Sequence, residues 1–213
     1  MACRLRRIRE DDLDRVREWR MLPEITRYMY TDPDISPADQ RAWFERIQNS
    51  PHDIVWIIEL TDGDVPVGVL SLSDIDQVNR RACWAYYIAS PEARGKGLAK
   101  SLELNVYRYV FETMGLNRLW CEVFSSNDRV VSLHERFGSK VEGVLRQHIW
   151  KDGESYDVVR MAVLADGSRC GSGWSTRPMQ PRRPVAGLSS CAITSRLACT
   201  PIRMRARVKH RTP

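Results

Sequence analysis

The chain has 213 residues, 43% of them hydrophobic, enough for one substantial core with an appendage. Its net charge of +6 is unevenly spread: residues 1–166 hold 23 basic and 27 acidic side chains, and no Asp or Glu follows Asp166. The basic balance that usually points to nucleic acid therefore belongs to the tail and does not apply to the core.

Along the chain, "CRLRRI" (3–8) alternates and predicts an edge strand, followed by Asp11 or Asp12 as N-cap of a helix through Arg20. A turn at "MLPE" leads to a second helical piece ending at "YMYTDPD". In "SPADQRAWFERIQN", Ser36, Pro37 and Asp39 stand at N-cap, N1 and N3 of a third helix. The runs at 54–60, 66–75 and 81–88 predict a three-stranded meander. Leu98, Leu102, Val106, Tyr109 and Val110 then recur at helical spacing, with Gly115 placed to end the helix. A strand at 118–124, a helix closed by Gly138 and a hairpin turning at Asp152-Gly153 complete the order β-α-α-β-β-β-α-β-α-β-β, in which the short second helical piece is not counted separately. A helical crossover between the 81–88 and 118–124 strands requires those two to be parallel. The fold class is α+β, with one mixed sheet flanked by helices.

Residues 1–165 make the domain, and 166–213, rich in Ser, Pro, Gly and Arg without periodicity, read as a disordered basic tail. The six cysteines divide between core (Cys3, Cys83, Cys121) and tail (Cys170, Cys191, Cys199), with no CxxC and no His pair at ligand spacing. Neither a structural metal nor a disulfide framework is expected. "MACRLRRIREDD" has no apolar signal region and the longest apolar run is "IVWII", so no membrane association and a cytoplasmic location are expected.

The stretch "ARGKGLA" (93–99) places glycines and cations where a helix begins, an anion-binding arrangement. It is neither a Walker A loop nor a dinucleotide fingerprint. The spacing Arg94-x-x-Gly97-x-Ala99 resembles the [QR]-x-x-G-x-[GA] signature of the GNAT N-acetyltransferase superfamily. The preceding "WAYYI", the following amphipathic helix and the later Asn127, Ser132, Leu133, His134, Phe137 and Gly138 fall in the same order. The resemblance covers about residues 3–164. It implies that Arg94, Gly95, Lys96, Gly97, Leu98 and Ala99 hold the pyrophosphate of acetyl-CoA, without a metal. It also implies that backbone groups of Tyr87 and Ile88 meet the pantetheine and thioester, with the Ile88 amide as oxyanion donor. Asn127 would bond the pantetheine arm; as an N-cap it has an equally good local role.

Within the superfamily, "EWRMLPEITRYMYTDPDISPADQRAWFERI" resembles the PseH group of pseudaminic acid biosynthesis, which acetylates a UDP-linked 4-amino-4,6-dideoxy sugar on the route to flagellin glycosylation. This implies a UDP-amino-sugar partner and a substrate pocket of Arg20, Met29, Tyr30, Gln40 and Trp43. Met21 and Gln40 depart from the group's pattern, which has Asn and His there. Met29, Tyr30 and Trp43 are equally suited to a core. Glu122 is the implied base, acting through water and Ser71. His134 stands where most of these enzymes have a tyrosine that protonates the departing thiolate, and hydrogen bonding to the sulfur alone is the other role open to it. Its neighbours in composition, His52 and His148, read as surface or pocket-edge residues. The rival readings are a GNAT acting on a protein N-terminus or a small amine, and a non-catalytic acyl-CoA-binding module. Nucleic acid is not expected at the core, and the sequence leaves a homodimer open.

Overall fold

The computed structural model describes residues 3–31 and 34–167. The expectation for the basic tail lies, from residue 168 on, outside them.

The chain forms β1 (Cys3–Arg7), α1 (Leu13–Met21), α2 (Pro23–Thr26), α3 (Pro37–Gln48), β2 (Ile54–Leu60), β3 (Pro66–Asp76), β4 (Arg81–Ile88), α4 (Leu98–Tyr107), β5 (Arg118–Phe124), α5 (Asp128–Arg136), β6 (Lys140–Lys151) and β7 (Glu154–Leu164). A π-helical stretch, Arg108–Thr113, continues α4. The strands make one seven-stranded sheet in the order β1-β2-β3-β4-β5-β7-β6. It is mixed, as expected: β4 and β5 are parallel and the other neighbours antiparallel.

Side chains alternate across a strand, so a strand covered on both faces must be apolar at nearly every position. "IVWII" in β2 meets that condition. Trp56 and Ile58 enter the core shared with Leu98, Leu102 and Val106 of α4, and Val55 and Ile57 enter a second core with Leu13, Val16, Trp43 and Ile47 of α1 and α3. The capping box on α3 forms as the sequence predicts, Asp39 N donating to Ser36 Oγ at 3.1 Å and Ser36 N to Asp39 Oδ2 at 3.3 Å. Asp152 and Gly153 both take positive φ, 52° and 82°, the backbone of a two-residue hairpin turn.

Asp12 precedes α1 but does not cap it. Its carboxylate accepts from the Arg9 amide at 2.8 Å and from both terminal nitrogens of Arg6, which also donates to the buried Glu59 of β2. Burial pushes the Asp12 carboxyl up, and Arg6 and the Arg9 amide overcome that and hold it low. Cys3 and Cys121 are buried free thiols.

The feature that matters for function is where pairing stops. β4 and β5 are in register only from Arg81 with Arg118 to Cys83 with Trp120. Beyond that β4 stays with β3, out to Ile88 opposite Gly68, and β5 stays with β7, out to Phe124 opposite Val158. The two strands diverge like an opened V. Gly68 is required at this end, since a Cβ there would lie 2.2 Å from the Tyr87 carbonyl oxygen.

Candidate active site

The V opens into a cavity of about 450 Å³, walled by the separated halves of β4 and β5, the loop after β4, the residues after α2 and the start of α5. In an antiparallel ladder each residue's N–H and C=O face the same neighbour, alternating along the strand. Ala89 N donates to Val67 O at 2.8 Å and Val69 pairs with Tyr87, so the amides of Tyr86 and Ile88 are directed to the opposite edge, where β5 has moved away. The Tyr87 side chain is buried in the helical core and its own N–H and C=O face β3, so the backbone groups at the cavity edge are those of Tyr86 and Ile88 and not, as expected, of Tyr87.

The glycine loop is built around two left-handed residues, Gly95 with φ 74° and Gly97 with φ 78°, the latter at the N-cap of α4. A Cβ on either would meet nothing within 4 Å. Conformation therefore requires glycine here, and the space beside the loop stays open to a bulky anion. Arg94 donates to the carbonyls of Ile88 at 2.9 Å and Ala89 at 3.0 Å, fastening the loop to the end of β4. Its guanidinium is thus a brace for the loop, whose backbone amides are the groups expected to meet the pyrophosphate. Leu98 is a core residue and Lys96 is exposed outside the cavity lining. Open amides at a helix N-terminus beside an unpaired strand edge fit the pyrophosphate and amide-rich arm of a coenzyme A thioester.

On one side of the cavity stands Glu122 of β5, its side chain 5% exposed. It accepts from Tyr30 Oη at 2.8 Å and from Arg160 Nε at 3.1 Å, and Arg160 Nη2 donates to it as well. Its surroundings are therefore polar, not the apolar pocket that burial alone suggests. Arg160 lies opposite Glu122 in the β5–β7 register, its guanidinium 4.6 Å from the Trp120 ring centroid. Tyr30 meets Phe124 edge-on at 5.4 Å, and Phe124 lies 5.4 Å from Tyr156. Burial, and then the neighbouring Glu122 carboxylate, push the Tyr30 hydroxyl well above the usual phenol range. Met29 and Ser71 line the same cavity, and Ser71 Oγ donates to Ala85 O at 3.4 Å.

Three of the sequence-predicted substrate residues are elsewhere. Gln40 and Trp43, 2% and 4% exposed, are inside the helical layer and do not line the cavity. Arg20, 3% exposed, lines only a recess of about 20 Å³ with Met29 and Tyr87, its Nη2 donating to Thr31 Oγ1 at 3.4 Å. It is not offered to a diphosphate in the main cavity. Amphipathic periodicity cannot tell a pocket-facing Arg or Trp from one turned into a helix–sheet interface.

On the other side is His134 of α5, 4% exposed, its ring 5.2 Å from Trp84 and 6.4 Å from Tyr86 between centroids. Its Nδ1 lies 2.6 Å from Oε1 of Glu103, a residue of α4 with no exposed surface. Burial alone pushes the imidazolium toward losing its proton; hydrogen bonds to Cys121 and Glu103 outweigh this, and His134 is pushed up to about 10. Asn127 occupies the N-cap of α5 without a side-chain capping bond and lines the cavity.

Arg160 and Glu103 are the two members of this site that sequence reasoning missed. Arg160 becomes legible only through the β5–β7 register. Glu103 carried a fainter signal, a carboxylate beside the apolar stripe Leu98, Leu102, Val106.

A left-handed glycine loop opening a helix, set against the diverging ends of two parallel strands, is the site of an acyl-CoA-dependent transferase. Residues 3–140 match the family model described as an acetyltransferase (GNAT) domain, and the chain belongs to that family. It is 26% identical over 163 residues to the spermidine N(1)-acetyltransferase of Escherichia coli (strain K12), covering 76% of this chain and 86% of that protein. It is 30% identical over 157 residues to an uncharacterized N-acetyltransferase, YoaA, of Bacillus subtilis (strain 168), covering 72% and 88%. The fold is that of a spermidine N-acetyltransferase from Vibrio cholerae solved in complex with CoA and spermine, with a TM-score of 0.74, 24% identity and coverage of 78% of this chain and 97% of that one. The protein is an acetyl-CoA-dependent N-acetyltransferase of the GNAT type. The finer resemblance to the PseH group finds no support in these relatives. No helix among the described residues is long and apolar enough to cross a membrane.

Proposed function

We propose that the protein transfers acetyl from acetyl-CoA to the primary amine of a small aliphatic amine, with a polyamine as the first substrate to try. The observation that carries this reading is Glu122, a shielded carboxylate on the cavity wall with Tyr30 and Phe124 beside it. A carboxylate flanked by aromatic rings attracts an alkylammonium, and Arg20, which a nucleotide diphosphate would need, is buried and lines only the small recess beside the cavity. Relatives named for spermidine acetylation support the same class of acceptor.

In this reading the loop amides at 95–99 and the strand edge at Ile88 hold the acetyl donor, which presents its thioester carbonyl to the Ile88 amide. That amide stabilises the oxyanion of the tetrahedral species. Glu122 takes the proton the amine must lose, through water and with Ser71 nearby, since only the neutral amine attacks. His134 stands on the thiol side. Asn127 bonds the pantetheine arm.

The test is acetyl-CoA-dependent thiol release with spermidine, a UDP-4-amino-4,6-dideoxy sugar and a ribosomal N-terminal peptide. Turnover confined to the polyamine is expected, whereas turnover confined to the sugar would restore the nucleotide-sugar reading and overturn this one.

A further inference from the structure

Glu103 is fully buried on α4, one turn past the glycine loop. An ionised carboxylate in such a place costs several kcal/mol in lost hydration unless a partner offsets it. Its Oε1 meets His134 Nδ1 at 2.6 Å, and the Tyr107 hydroxyl of the next turn stands beside the same carboxylate. A carboxylate only accepts, so the shared proton sits on Nδ1. That leaves Nε2 as the ring nitrogen with which His134, a cavity-lining residue, can meet a bound group. The ring is gripped from three elements: Glu103 on α4, with Tyr107 one turn on; Cys121 on β5; and Trp84 and Tyr86 on β4. Glu103 is the one carboxylate among them.

We propose that Glu103 is the positioning residue of a buried carboxylate–imidazole pair, holding His134 charged and oriented so that its Nε2–H protonates the thiolate released from acetyl-CoA. This rests on the acetyl-transfer reading above. The step balances as follows. The amine nitrogen bonds to the acetyl carbon, the C–S bond breaks and its electrons pass to sulfur. Sulfur takes the Nε2 proton, Glu122 removes the surplus proton from nitrogen, and the neutral imidazole is reprotonated from solvent. The arrangement is the one in which a buried carboxylate sets the tautomer and charge of a histidine acid–base. A tyrosine at this position would need no such partner, which gives the buried carboxylate on α4 a reason to be there.

The test is the pH profile of kcat for wild type, Glu103→Gln, Glu103→Asp, His134→Phe and the Glu103→Gln/His134→Phe double variant. Glu103→Gln is expected to lower kcat at pH 8.5 several-fold, up to the about 10-fold that removing His134 itself costs, to move the basic limb at least about one pH unit lower and to leave KM for acetyl-CoA within about 2-fold, all on the premise that only protonation of the imidazole has changed. Glu103→Asp should recover part of the loss, and Glu103→Gln should cost nothing further once His134 is Phe. Unchanged limbs with an equal loss in both backgrounds would mean a merely structural carboxylate and would overturn the proposal. ¹⁵N NMR of the histidine-labelled full chain decides the matter without turnover: both ring nitrogens of His134 protonated at pH 8 is the expected result, and a neutral ring at that pH overturns it. Failure of the acetyl-transfer reading would show separately, as absent wild-type turnover with every amine.

Discussion

The two sides of the cavity solve one problem with different partners. On the side proposed for the amine, the shielded Glu122 is held by Arg160, whose charge no working pH removes; on the side proposed for the thiol, buried Glu103 is held by His134, whose charge pH can remove. In the proposed reaction, a permanent cation keeps Glu122 in place and open to a proton while making it a weaker base. A group that must give a proton gains from a neighbour that keeps it loaded. The difference teaches that carboxylates of equal burial take their roles from the titration of what they touch.

The largest expected effect lies on the amine side. Glu122→Gln should lower kcat by about 100-fold or more, the range of a lost general base, measured as thiol release at saturating acetyl-CoA with KM for that substrate little changed. A loss under about 3-fold would move the base elsewhere. His134→Phe should cost less, about 10-fold, because a thiolate with a solution pKa of about 8.5 departs with modest help; the informative readout is disappearance of the basic limb. Gly97→Ala, which puts a side chain at φ 78°, should raise KM for acetyl-CoA several-fold with a smaller change in kcat, read by steady-state kinetics. An unchanged KM would remove the loop from donor binding.

The smallest effect is on stability, and its sign separates the two sides. His134 is raised in the folded state, to about 10. Its contribution is present in full below the unfolded value of about 6.5 and is lost as pH rises through the folded one. Tm should therefore fall between pH 7 and 10 by about 3 °C or more, the shift that ~1 kcal/mol makes in a domain of this size. Calorimetry should show that fall flattened in His134→Phe and retained in Glu122→Gln.

Much of this site was legible before the fold was known. Gly95 and Gly97 mark an anion-binding helix start, Glu122 and His134 stand at positions that the family resemblance marks, and strand and helix periods place the parallel crossover. Other parts were not legible. Arg20, Gln40 and Trp43 have the composition of a binding pocket and the location of a core, because polarity says nothing about which of two packed faces a helix presents. Arg160 and Glu103 enter through register and through helix–helix placement, which bring together residues 38 and 31 positions apart along the chain.

The order of elements, the place of the glycine loop at a helix start and the side-chain chemistry of Glu122 and His134 can be read from the chain alone, because turn preference, hydrophobic period and side-chain type are local properties. Where β4 and β5 part, which side chains line the resulting cavity and which partner each shielded carboxylate has are set by the assembled fold. Those follow from long-range packing and from the cost of leaving a buried charge alone, which no local stretch of chain encodes.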